Sequence, residues 1–482
     1  MNNILKVSFI LSLPVLTTLI IGTIKNKLLA VFIGPVGVGT LAQINIFLNT
    51  ANTVSSLGLM QGVTKYVAEN QFFNDAYVRL KSILNSAIKI ILLVTIPVSL
   101  LTILFSRKLS SLLLNNESSY IFFVIIAVVI PFQVMGQIFI SFIQGLKAVK
   151  IISITSILIS IIGLVFFIPL ILFFRINGAV ISILILAIIS FITFRYVTEI
   201  LVKKLTPIRE HITGSSPLSK VTAPFNSHSP IKAFEDKFVK GDRGLLYPKE
   251  LLEFGYLRLI QISINPLTML AIRSLIIKHL GVFNNGIYEV VIAFSFLYVP
   301  IINNILWSYV YPNYCNSKDN ALLSKEVNRF LTISLLIAVP MITLIILFCS
   351  PLIKLLFSDE FLPAAAVIGI ALVGDFLKVL IWPFNVVLMA KDRMKTAVAF
   401  EFIWNIFLLV SAFFVIPVYS LKGVFIVQNM SLLLILFLSY IYVNKEFSLR
   451  VTKGNILLSI ASILIIFAAG RFNPLKMIGG LN

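Results

Sequence analysis

Charge is scarce in this chain, and acid is scarcer still. Only 12% of the 482 residues are Asp, Glu, Lys or Arg, about half the share of a soluble globular protein. There are 19 acidic residues against 39 basic ones. A single soluble domain built around one core is excluded. The two cysteines, Cys315 and Cys349, provide no disulfide framework. The three histidines, His211, His228 and His279, do not combine with them at metal-ligand spacing. No Ser/His/Asp constellation and no glycine-rich phosphate loop is visible, so an enzyme is not expected. No cofactor or metal is expected either, beyond coupling to a proton or sodium gradient.

What is present is apolar sequence. Hydrophobic residues make up 59% of the chain, and mean hydropathy is +1.03. A bilayer span takes about 20 such residues, which leaves room for about a dozen. Apolar runs place them near 7–33, 40–63, 83–105, 119–141, 151–173, 177–200, 251–277, 286–311, 330–349, 362–390, 396–416 and 422–443, with a shorter run at 455–470. The runs are continuous rather than alternating, which excludes a membrane β-barrel. The predicted fold is an all-α integral membrane protein. About 12 transmembrane helices form two parallel six-helix bundles around a central cavity, with a short extra C-terminal membrane segment. Domains follow as 1–202, a polar linker at 203–250, a second bundle at 251–444 and a tail at 445–482. Lys6 precedes an apolar run too long for a signal peptide and followed by no cleavage site, so the first span is read as uncleaved.

The net charge of +20 would suggest nucleic acid in a soluble protein. Here the cations sit in short runs between apolar segments, where they set topology and meet anionic lipid. With the N-terminus inside, the inner loops hold most of the Lys and Arg, whether or not the 203–250 stretch is included. That stretch carries Pro207, Pro217, Pro224, Pro230 and Pro248 among serines and charges, and reads as a cytoplasmic connector.

The two halves of the sequence resemble each other. Gly34, Gly39 and Phe47 recur at one constant offset as Gly281, Gly286 and Phe294. Lys150, Ile161, Leu164, Val165 and Gly178 recur at a nearly equal offset as Lys395, Ile406, Leu409, Val410 and Gly423. Six spans per half makes the copies parallel, with a binding site expected between them near the midplane.

A few ionisable residues fall inside spans, where a charge costs at least about 2.5–3.5 kcal/mol and seeks water or a partner. Lys25 lies about 13 Å along its helix from Gly34, with Lys27 nearby, and Arg273 sits at similar depth before Gly281. Arg258 lies nearer the cytoplasmic side. Each either lines an aqueous cavity or snorkels to headgroups, as Lys89 does. Asp375 and Lys378, three apart, form either a structural ion pair or an ion-coupling site. Glu289 is a second coupling candidate and can pair with Arg273 across the hairpin. Asn45, Asn49 and Asn52 share one helix face, which either zips helices together or lines a water-filled path.

Residues 25–70, KNKLLAVFIGPVGVGTLAQINIFLNTANTVSSLGLMQGVTKYVAEN, are similar to the N-terminal region of O-antigen and related polysaccharide flippases. These belong to the multidrug/oligosaccharidyl-lipid/polysaccharide exporter superfamily. GPVGVGTLAQ and SLGLMQGVTKYVAE carry most of the likeness; elsewhere it is the span pattern. The resemblance implies alternating access between two six-helix bundles in the bacterial inner membrane. The cargo it implies is an undecaprenyl-pyrophosphate-linked repeat unit, moved from the cytoplasmic to the periplasmic leaflet. Lys25 matches an arginine that lines the cationic cavity of the related peptidoglycan lipid flippases, whereas their neighbouring acid is Asn26 here. The long 203–250 connector and the 455–470 segment depart from the family pattern. Lys25, Lys27, Arg258 and Arg273 would then face the diphosphate, and Asn45 and Asn49 the sugars. Expected partners are that cargo, membrane lipids and other polysaccharide-assembly membrane proteins, with no nucleic acid. The alternatives are a multidrug cation antiporter of the same superfamily and a membrane glycan polymerase or glycosyltransferase. The first would want acids facing the cavity, where the mid-span ionisable residues here lean cationic. The second would want a large outward loop, where the outward loops here are short.

Overall fold

The computed structural model describes residues 2–71, 76–204, 248–317 and 319–471. These are helical almost throughout, and no strand occurs among the described residues. Among the described residues eight helices are long and apolar enough to cross a membrane, or nine when the bent pair Val282–Ser295 and Val299–Ile305 counts as one span. Three of the eight are far longer than a bilayer is thick, and they fold back on themselves.

The first set begins with α1 (Asn2–Ser56), which bends at Gly34. It continues through α2 (Leu59–Asn70), α3 (Ala76–Leu104), the short α4 (Ser106–Leu114), α5 (Tyr120–Gly145) and α6 (Val149–Lys204), which turns at Arg175. The second set repeats the plan. It comprises α7 (Pro248–Leu280), α8 (Val282–Ser295), α9 (Val299–Ile305), a π turn at Leu306–Val310, α10 (Tyr311–Asn316), α11 (Asn320–Leu347), the short α12 (Cys349–Leu356), α13 (Ala365–Ala390) and α14 (Met394–Phe447), which turns at Ser420. Each set thus makes six passes, and α15 (Lys453–Arg471) follows as a further apolar helix. The face where α6 ends at Lys204 and α7 begins at Pro248 is called the connector face; Gly34, α4, Arg175, Gly281, α12 and Ser420 mark the far face.

The repeat extends to backbone conformation. Gly34 and Gly281 have φ of 61° and 86°. Lys147 and Asp392 have 58° and 56°, and Arg175 and Ser420 have 48° and 53°. The last two pairs share the offset that relates Gly178 to Gly423. A non-glycine residue rarely adopts positive φ, so its recurrence at matched turns marks one hairpin design used twice.

Two expected spans are broken rather than continuous. The run 40–63 is interrupted where Leu57 and Gly58 adopt positive φ, and α2 begins at Leu59. The run 286–311 bends after Ser295, and Pro300 opens the next helix. That bend seats the fully buried Tyr298, whose hydroxyl donates to Asp375 Oδ2 at 2.8 Å. The C-terminal run is a helix packed against α11. Asn455 Nδ2 donates to Asn328 O and Oδ1, each at 2.9 Å, while Thr332 Oγ1 donates to Asn455 Oδ1 at 2.7 Å.

Candidate functional site

Where the two sets meet, glycine permits backbone contact. A Cβ added at Gly39 would stand 2.2 Å from Val282 O, and one at Gly286 would stand 2.0 Å from Pro35 O. Gly39 corresponds to Gly286, and Pro35 to Val282, so the crossing is a self-complementary contact about a pseudo-twofold axis. Asn285 Nδ2 donates to Gly39 O at 2.7 Å across it. Gln43 Nε2, off the asparagine face of the same helix, donates to Ser274 Oγ at 2.9 Å. Ala30 and Val38 of the first set are buried within the second set's core.

Lys27 belongs to this seam rather than to an open cavity. Its ammonium donates to Lys354 O at 2.7 Å and also to Phe357 O. These carbonyls close α12, so Lys27 of one set caps a helix C-terminus of the other.

Lys25 points elsewhere. It is half-buried, with Nζ 5.7 Å from the centre of the Phe167 ring and close to Gly163, both on α6. It therefore faces the interior of the first set, and it has no acidic partner among the described residues.

Arg273 is buried. It pairs with Glu289, donates to Asn285 Oδ1 at 3.2 Å, and lies 4.9 Å from the Tyr288 ring centre. Glu289 does reach Arg273 across the hairpin, so this cation is neutralised in place. Lys25 and Arg273 consequently do not form one bare cationic wall. The side chain of Arg258 lies outside those described. Asn45 and Asn49 are exposed, whereas Asn52 is buried and donates to Gln133 Oε1. The asparagine stripe thus splits between an exposed part and a helix-to-helix bond.

The second set encloses a cavity of about 500 Å³ between α7, α8, α13 and α14. Tyr288, Asp375, Lys378, Glu401 and two tryptophans line it. Asp375 is buried, Lys378 Nζ donates to its Oδ1 at 3.0 Å, and Tyr298 holds its other oxygen. Sequence reasoning did not find this chamber. Aromatics in an apolar chain resemble lipid-facing residues. No group of His, Cys, Asp and Glu among the described residues could hold a metal.

Sequence families described as polysaccharide biosynthesis proteins match residues 4–229 and 243–366. The chain is 23% identical over 403 residues to a lipid III flippase of Escherichia coli (strain K12), covering 83% of this chain and 89% of that protein. Along most of its length the chain is thus similar to polysaccharide biosynthesis proteins. Its long apolar helices make it a multi-pass membrane protein. Its fold is shared with an inward-facing multidrug resistance MATE transporter of the MOP superfamily, at a TM-score of 0.70 and 12% identity over 91% of this chain and 97% of that one. The lipid II flippase MurJ in an inward closed conformation is also similar, at 0.64 and 15% identity over 98% and 94%. In these flippase-like folds two six-helix sets flank a centre, which is the arrangement of α1–α6 and α7–α14 here.

Proposed function

We propose that this protein is a flippase and carries a saccharide linked to a polyprenyl diphosphate, of the undecaprenyl-pyrophosphate O-antigen type, from the cytoplasmic to the periplasmic leaflet of the bacterial inner membrane. The N-terminus and the connector face lie in the cytoplasm. The observation that carries this reading is Lys25: an ammonium turned into the first set with no acid among the described residues to neutralise it. An unpaired cation at that depth favours an anionic ligand, and a diphosphate supplies one. Lipid III flippase as a relative supports a lipid-linked cargo.

Arg273 gives the reading a mechanism. Glu289 and an incoming diphosphate compete for the same guanidinium, so a proton on Glu289 would release Arg273 to cargo. Asp375, held by Lys378 and Tyr298, would serve as the second acid for proton coupling. Alternating access would part the Gly39–Gly286 crossing and close the connector side. A multidrug cation antiporter is disfavoured by the Lys378 ammonium, which lines the cavity 3.0 Å from Asp375 and offsets one of its two acids.

Deletion of the gene tests the reading. Lipid-linked saccharide should accumulate and surface polysaccharide should disappear. Lys25→Arg should restore export and Lys25→Ala should not, at equal membrane levels. A deletion strain that stores no lipid-linked saccharide contradicts the proposal.

A further inference from the structure

We infer that the cavity inside the second set is a saccharide-binding chamber that receives the sugar part of the cargo; this rests on the flippase reading above. A pyranose presents a face of C–H groups that lies on an aromatic ring, and a rim of hydroxyls that both donate and accept. A site for it therefore needs flat aromatics beside amides and carboxylates. The cavity has this composition. The chain has three tryptophans, and two of them, Trp382 and Trp404, line it. Trp404 is fixed in place, its indole N–H donating to Ser431 Oγ at 3.0 Å. Ser439 Oγ donates to Asn385 Oδ1 at 3.1 Å, which orients that amide and leaves its NH2 for a ligand. The Gln428 amide, Glu401 and the Asp375–Lys378 pair add to the polar wall.

Other occupants fit less well. A dry helix interface has no use for amides and indoles around about 500 Å³ of space, a volume within the roughly 300–1,000 Å³ typical of ligand pockets. A lone cation would meet the Lys378 ammonium, 3.0 Å from Asp375, with Glu401 the remaining acid of the wall. Met389 and Ala397, at the connector-face ends of α13 and α14, also line the cavity, so it extends toward the side from which cargo would load.

Tryptophan emission tests this directly. The purified full-length protein in nanodiscs is titrated with chitotriose, maltotriose and mannotriose. A saturable change should appear with at least one of them. Trp307→Phe should leave it intact, because Trp307 is 45% exposed, packs on Tyr311 and does not line the cavity. Trp382→Phe and Trp404→Phe should each weaken binding about tenfold or more. Asn385→Ala, which keeps both reporters, should weaken it as well, with an unchanged size-exclusion profile. No response to any of the three sugars overturns the inference, as does a response untouched by these substitutions. Displacement of the sugar by tetraphenylphosphonium at lower concentration also overturns it, since the chamber would then be a site for lipophilic cations. If the titration fails while the deletion strain still accumulates lipid-linked saccharide, the chamber assignment falls and the flippase reading stands. If the titration succeeds and nothing accumulates, the flippase reading falls and the sugar site stands.

Discussion

At the scale of single residues, the cations of the first and seventh spans have three different fates. Lys25 faces the first set's interior, Lys27 caps α12 of the second set, and Arg273 is neutralised by Glu289. Replacing Glu289 by Gln should therefore act on Arg273. Export is expected to persist but to lose its dependence on the proton gradient, measured in vesicles with and without an uncoupler. The same change should lower stability by about 1–2 kcal/mol, read from thermal unfolding in detergent; the figure is small because the Glu289 side chain is 37% exposed. The positions of Lys25 and Arg273 within spans were legible in the sequence, because a charge inside an apolar run stands out. The partner of Lys27 was not. Backbone carbonyls at the end of a distant short helix carry no residue-type signature. The bond between Gln43 and Ser274 was hidden for a related reason, since polar residues of this kind abound in helices and nothing in either residue names its mate.

At the scale of elements, the spans were legible because each needs a long apolar run, and the hairpin turns fell where the runs paused. The breaks at Leu57–Gly58 and after Ser295 were not, because both lie inside apolar sequence and depend on what they place. The second of them seats Tyr298 on Asp375. The Gly39–Gly286 crossing was visible as a repeat but not as a contact. Gly286→Ala should force the two sets apart at the far face, because its Cβ would meet Pro35 O at 2.0 Å. A single cysteine at position 26 is then expected to label more readily with an impermeant maleimide added from the far side than it does with Gly286 intact. At the other face, α15 depends on a polar knot. Asn455→Ala leaves Asn328 and Thr332 without their bonds to it, and should cost about 1–3 kcal/mol in thermal unfolding while export continues. Deletion of 210–245 should leave export intact, measured as surface polysaccharide at equal membrane levels.

At the scale of the whole molecule, two copies of one six-pass design meet at a glycine crossing, yet their interiors differ. The first holds an ammonium without an acid among the described residues; the second holds a chamber with tryptophans, amides and a closed ion pair. A duplicated scaffold with unlike halves suits a cargo with unlike parts, an anionic diphosphate and a neutral glycan. The repeat could be read from the sequence through Gly34 and Gly281, but the division of labour could not, because it depends on which side chains turn inward. The most direct measurement is translocation in reconstituted vesicles of an undecaprenyl-pyrophosphate-linked saccharide, followed by its accessibility to a membrane-impermeant glycosidase. The protein should expose the saccharide on the opposite leaflet, and Lys25→Ala should slow this by about tenfold or more while Lys25→Arg does not. Equal rates in Lys25→Ala, or in vesicles without the protein, would contradict the account.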